Sequence, residues 1–151
     1  MKHLFVIVCF LILHSATFNV EAYNSNNLKS ANVSNIDIKP NVKQNGQNGI
    51  LITFDCNVSG YKGYPIFFYS YFLHGDDLSK VKKHNGKNVY GFSSSTIIYD
   101  NTVIKRITHF VPYKDLPSKY HGYLAVRIVV FDYAENIIFR GKPTPIFYST
   151  L

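Results

Sequence analysis

The chain has 151 residues, 16 lysines and arginines against 9 acids, a formal charge of +7, two cysteines and no tryptophan. One ordinary domain fits this length once a leader is set aside. A disulfide framework is excluded, since only Cys56 lies beyond the first twenty-two residues. The positive balance favours anionic partners without choosing among them, and it serves solubility equally.

Residues 1–22 have the three parts of a secretory signal: a basic start (Lys2, His3), a charge-free apolar run (Leu4–Leu13), and small residues at Val20-Glu21-Ala22. The run is shorter than the roughly 20 residues a membrane-spanning helix needs. No later stretch reaches that length, so the expectation is a secreted chain without stable membrane insertion or a lipid anchor. Its departure leaves the charge at +7, because it carries one base and one acid (Lys2, Glu21). Residues 23–31 are polar and Asn-rich and read as a flexible arm. That leaves 32–151 as a single domain.

Val33–Ile38 alternates weakly, and Pro40 and the Asn45–Gly49 segment punctuate the chain, with Asn45-Gly46 as a turn signal. Ile50–Val58 alternates cleanly: Ile50, Ile52, Phe54, Cys56 and Val58 on one side, Leu51, Thr53, Asp55 and Asn57 on the other. Pro65–His74 is a continuous aromatic run, suited to a central strand covered on both faces. Leu78–Lys87 is a basic loop. Asn88–Tyr99 and Thr102–Val111 are β-rich, with Asp100-Asn101 as a hairpin corner between them. Pro112–Gly122 is a loop. Tyr123–Tyr133 alternates again, with Leu124, Val126, Ile128 and Val130 inward. Ala134–Asn136 turns the chain into Ile137–Arg140, and Ile146–Tyr148 ends it. No window has a helical apolar repeat. About seven short strands predict an all-β fold: a two-layer antiparallel immunoglobulin-like β-sandwich, preceded by a signal peptide.

Three segments carry a resemblance: Val58–Gly63 between two strands, Tyr99–Thr102, and Phe110–Leu116. Their order over roughly Ile50 to Asp132 resembles small immunoglobulin-like sandwich domains of secreted or surface bacterial proteins. The resemblance implies a fold and an export route and brings no catalytic residues. The chain departs from antibody-type domains in lacking both the tryptophan and the second mature cysteine of their core.

The immunoglobulin-like order sets the third and sixth strands side by side. With Ile66, Phe68, Ser70 and Phe72 inward, the outward set is Phe67, Tyr69, Tyr71 and Leu73, joined by Tyr123, Arg127, Val129, Phe131 and Tyr133. Rings with an arginine on an outer sheet face are interface chemistry. The alternative is a face covered by the arm or a loop. The candidate binding residues are therefore Phe67, Tyr69, Tyr71, Tyr123, Arg127, Phe131 and Tyr133. A second candidate is the basic patch Lys80, Lys82, Lys83 and Lys87 beside His84, either a contact for anionic surfaces or a solvated loop. Asn32-Val33-Ser34 and Asn57-Val58-Ser59 are glycosylation acceptors in a eukaryotic host. His74, His84, His109 and His121 show no metal-ligand spacing, so no metal and no cofactor is expected. Cys56 in an alternating strand reads as a small buried hydrophobe, with an intermolecular disulfide or a nucleophile as the sharper readings. No catalytic motif occurs. The leading expectation is a secreted, non-enzymatic domain recognising a protein or glycan surface, including anionic ones, but not nucleic acid. An effector-like protein delivered to a host and a small secreted hydrolase are the alternatives.

Overall fold

Every second side chain from Ile50 to Val58 is withdrawn from solvent: Ile50, Ile52, Phe54, Cys56 and Val58 are all buried. The same holds for Ile66, Phe68, Ser70 and Phe72, and for Leu124, Val126, Ile128 and Val130. Such period-two burial requires extended chain with one face against a core. A computed structural model describes residues 28–117 and 122–148. The expected leader at 1–22, most of the expected arm and His121 lie outside the described residues.

Among the described residues eight strands form: β1 (Ser30–Gln44), β2 (Gln47–Ser59), β3 (Pro65–His74), β4 (Tyr90–Thr96), β5 (Asn101–Pro112), β6 (Gly122–Phe131), β7 (Ile137–Arg140) and β8 (Thr144–Tyr148). A 3-10 turn at Tyr113–Asp115 follows β5. β1 thus begins inside the stretch read as an arm. One sheet has the order β1-β2-β5. The other has β4-β3-β6-β7, with β8 also on β6. All pairings are antiparallel. With β2 and β5 in one layer and β3 and β6 in the other, this is an immunoglobulin-like two-layer sandwich. β4 takes the place of the extra strand that variable-type domains add beside the third. The count exceeds seven because Gly141–Pro143 splits the last strand. Both halves stay on β6, and Gly141 N–H donates to Ile128 O at 2.9 Å across the break.

The inner faces meet in one cluster that includes Phe54, Phe68, Phe72, Ile128 and Val130, closed by Val81, Val89 and Ile97 from the connections. Phe54 meets Phe68 edge-on at 6.2 Å. A polar tie crosses the same core. His109 of β5 sits between Ser70 Oγ of β3 (2.8 Å to Nδ1) and Ser93 Oγ of β4 (2.8 Å to Nε2), with Phe54 edge-on at 5.4 Å. Both ring nitrogens are thereby satisfied, as a buried imidazole requires. β4 approaches His109 closely because Gly91 has no side chain: a Cβ there would fall 2.4 Å from His109 Cβ.

Three local expectations are corrected. Pro40 does not end a strand; it lies within β1, where Asn41 (φ 60°) follows it and the register with β2 shifts between Lys39 and Val42. β1 is an edge strand, where a missing N–H costs no ladder bond and a bulge absorbs the irregularity. Asp100-Asn101 is not a hairpin corner, because β4 pairs with β3 while β5 pairs with β2. The chain crosses between sheets there, held to the end of β2 by Gly60 N–H on Asp100 O (2.9 Å) and by Ser59 Oγ on Asn101 Oδ1 (2.7 Å). β3 is central, as its composition requires, but only its inner face is fully covered.

Candidate functional site

On the outer face of β3, Phe67, Tyr69 and Tyr71 stand in a row, all half-buried. The pairing register extends each into a line across the sheet. Tyr71 lies between Tyr90 of β4 and Arg127 of β6; Tyr69 lies between Phe92 and Val129, with Arg140 of β7 beyond; Phe67 lies between Ser94 and Phe131. Directly opposed side chains are within contact distance on one sheet face, and the rings do touch. Tyr69 is the hub, with Phe92 at 4.9 Å, Tyr90 at 5.4 Å and Phe131 edge-on at 5.4 Å. Phe67 and Phe92 stack at 6.3 Å. Tyr90 and Phe92 remain 46 % and 50 % exposed. Phe67, Tyr69, Tyr71, Phe92, Phe131 and Glu135 line a shallow hollow of about 430 Å³.

The orientation of the rings limits what they can grip. Tyr69 and Tyr71 stack on each other at 5.4 Å, with planes only 5° apart. Lys80 Nζ also lies over the Tyr71 ring, 4.2 Å from its centroid. Burial first, and then the neighbouring phenols, push both hydroxyls above the ordinary tyrosine range, so at neutral pH they stay protonated and able to donate a hydrogen bond.

Of the predicted set, Phe67, Tyr69, Tyr71, Arg127 and Phe131 come together. Tyr123 and Tyr133 do not join that ring cluster. Tyr123, 60 % exposed, lines a separate hollow with Leu78 and Pro145. Tyr133 stacks on Tyr64 at 4.4 Å beyond the other end of β6. The basic loop is dispersed: Lys80 belongs to the ring face, Lys83 pairs with Asp115 at 2.7 Å, and Lys82 and Lys87 are exposed. Asn32 and Asn57 are exposed direct partners on the outer face of the smaller sheet. Cys56 is buried, and burial pushes its thiol up to about 12, far from thiolate chemistry. Among the described residues no three His, Cys, Asp or Glu side chains converge to hold a metal, and no helix is long and apolar enough to cross a membrane.

Sequence reasoning missed Tyr90 and Phe92. Their alternation with Gly91 and Ser93 is plain in the chain, but only the pairing of β4 with β3 brings them beside Tyr71 and Tyr69. It also missed Asp132 as the organiser of the β6–β7 turn. Burial works against the charge of this carboxylate. The N–H groups of Asn136 and Ala134 and the Asn136 amide outweigh that cost and hold its pKa below the usual range.

No family model matches the chain, and no curated protein matches it. Among solved structures, a Northeast Structural Genomics Consortium target, SoR45, is similar at 10 % identity over 82 % of this chain and 89 % of that one, with a TM-score of 0.29. A score of that size carries no argument about fold or function.

Proposed function

We propose that this chain is a secreted, non-enzymatic binding domain that engages a protein partner through the ring-lined outer face of its larger sheet. The observation that carries the reading is the cluster centred on Tyr69, with Tyr90 and Phe92 half exposed beside it. Clustered tyrosine and phenylalanine beside arginine is the composition of interface centres, because large rigid rings give contact area at low entropic cost. Secretion rests on the leader at residues 1–22.

A protein is preferred over a glycan on geometry. A sugar stacks on an open ring face, and the Tyr71 ring is already engaged by Tyr69 stacked on it and by Lys80 over it. The rings present edges and hydroxyls instead, which suits irregular protein surface. Two groups that otherwise suggest hydrolysis are unsuited to it. His109 and Ser70 touch, but His109 is only 2 % exposed and lies between the sheets, out of reach of substrate. Cys56 is likewise buried.

The test is a panel of extracellular proteins and a glycan array, each probed with the chain and with Tyr69→Ser/Phe92→Ser. The expected outcome is a protein hit lost in the double variant while its circular dichroism and melting remain those of a folded sandwich. A hit confined to glycans, or protein binding indifferent to both substitutions, overturns the reading.

A further inference from the structure

The ring face is chemically divided along its strand order. The rings are carried mainly by β4 and β3, and the cations lie on β6, β7 and the loop after β3. Lys80, Arg127 and Arg140 stand around a hollow of about 150 Å³ whose lining includes Tyr71, Leu73 and Val129 and contains no carboxylate. Leu73 and Val129 are buried, so the floor is apolar. Arg127 Nε is buried with no hydrogen-bond partner among the described residues. Lys80 Nζ rests on the Tyr71 ring. Glu135 lines the neighbouring ring-lined hollow instead.

A charge-assisted hydrogen bond to a guanidinium or an ammonium is among the stronger single polar contacts available. Three cations lining one hollow without a carboxylate set the sign of the group that would make it. The apolar floor sets its form: a carboxylate on a short methylene stem, not a hydrated inorganic ion. We propose that this hollow is an anion subsite that receives a glutamate or aspartate side chain of a protein partner, while the adjacent rings receive an apolar side chain of the same partner. This deepens the proposed function and rests on it. Rings and cations lie about two strand spacings apart, roughly 10 Å. A partner segment with an aromatic residue and an acid on one side of an extended chain spans that distance.

The probes are acetyl-Phe-Gly-Glu-amide and its Gln counterpart, titrated into the isotope-labelled chain while the Arg127 Nε–Hε resonance is followed. The Glu peptide should move that resonance saturably and bind about tenfold more tightly than the Gln peptide, as expected for one charge-assisted hydrogen bond. Arg127→Gln should abolish the Glu preference. Because Arg127 is partly buried, Lys80→Gln, at an exposed position, serves as the second variant and should reduce the preference several-fold without altering the fold. Equal binding of the two peptides, an unmoved Arg127 resonance, or displacement of the Glu peptide by a sulfated oligosaccharide at lower concentration overturns the subsite. Phe92→Ser separates the two readings. If the parent chain binds the two peptides equally and Phe92→Ser abolishes binding of both, the ring face stands and the anion subsite falls. If the Glu preference survives and Phe92→Ser changes nothing, the subsite stands and the ring face falls.

Discussion

The two outward surfaces of this sandwich obey the same alternation and differ in nearly everything else. On the smaller sheet the lines across the strands are largely polar: Asn32 beside Asn57, Asp37 beside Thr53 and Thr108, Ser34 beside Asp55. That sheet is also irregular. Its register breaks near Asp55 on both sides, where Asn35 (φ 52°) and Arg106 (φ 56°) adopt left-handed backbone. The Asp55 carboxylate bridges the two breaks, accepting from Arg106 N–H and from Asn35 Nδ2 at 2.8 Å each. The Arg106 N–H first, and then the Asn35 amide, hold its pKa below the usual carboxylate range. On the larger sheet the register of β3 with β4 and β6 runs unbroken and the outward positions carry rings. Alternation decides which residues face out; residue type and regularity decide what an outward face is for. The bulged polar face discourages strand pairing along the β1 edge, while the regular ring face is the continuous surface on which the proposed partner contact rests.

The largest effect that sharpens this contrast lies within one strand. Phe68 and Tyr69 are neighbours of similar size, one buried in the core and one on the outer face. Phe68→Ala should cost about 3–5 kcal/mol, the range for a truncated core aromatic. Tyr69→Ala should cost about 1 kcal/mol or somewhat more, because its ring is only partly withdrawn from water. Urea unfolding of both variants checks the ratio; comparable losses would mean that the outer rings act as a second core.

The next effect is on the tie between the sheets. Burial pulls the His109 pKa down to about 4 from an ordinary 6.5, so the unfolded chain binds the proton more readily than the folded one. Stability contributed by neutral His109 is therefore full above about pH 6.5 and is lost as pH falls toward 4, by about 3 kcal/mol in all. His109→Gln keeps hydrogen-bonding groups without the titration, and its denaturant midpoint should lose most of that slope between pH 6.5 and 4.5. Gly91→Ala attacks the same junction sterically, since its Cβ would meet the His109 side chain at 2.4 Å. An overpacking cost of about 1–3 kcal/mol is expected by thermal melting.

The inner faces of β2, β3 and β6 were legible residue by residue, because period-two burial leaves its mark directly on the chain. The Asn45-Gly46 turn was legible as well: both residues adopt positive φ, 48° and 76°, between β1 and β2. Pairing between distant strands was only half legible. The β3–β6 neighbourhood follows from the sandwich order, which put Arg127 and Tyr71 on one face; the register that sets them directly opposite came only with the structure. Placing β4 in the β3 sheet required knowing that Asp100-Asn101 is a crossing between layers, and no local residue preference distinguishes a crossing from a hairpin. Hence Tyr90 and Phe92 escaped notice. The His109 tie escaped for the same reason: it depends on residues 39 and 16 positions away.

The smallest expected effect on stability is also the sharpest comparison of the two faces. Lys39 on the smaller sheet pairs with Asp37 at 2.9 Å, and both side chains are more than half exposed. Lys80 on the larger sheet covers Tyr71. An exposed ion pair and an exposed cation–ring contact each contribute only a few tenths of a kcal/mol up to about 1 kcal/mol. Lys39→Gln and Lys80→Gln should therefore melt within about 2–4 °C of the parent, a shift set by that small free-energy change in a domain of this size. Their consequences for recognition should diverge. Removing Lys39 leaves the ring face and its cations untouched, so binding of the Glu peptide should be unchanged. Removing Lys80 takes away its contact with the Tyr71 ring and a positive charge from the hollow beside Arg127, so peptide binding should weaken. Equal binding by the two variants would make the two faces equivalent in function despite their difference in chemistry.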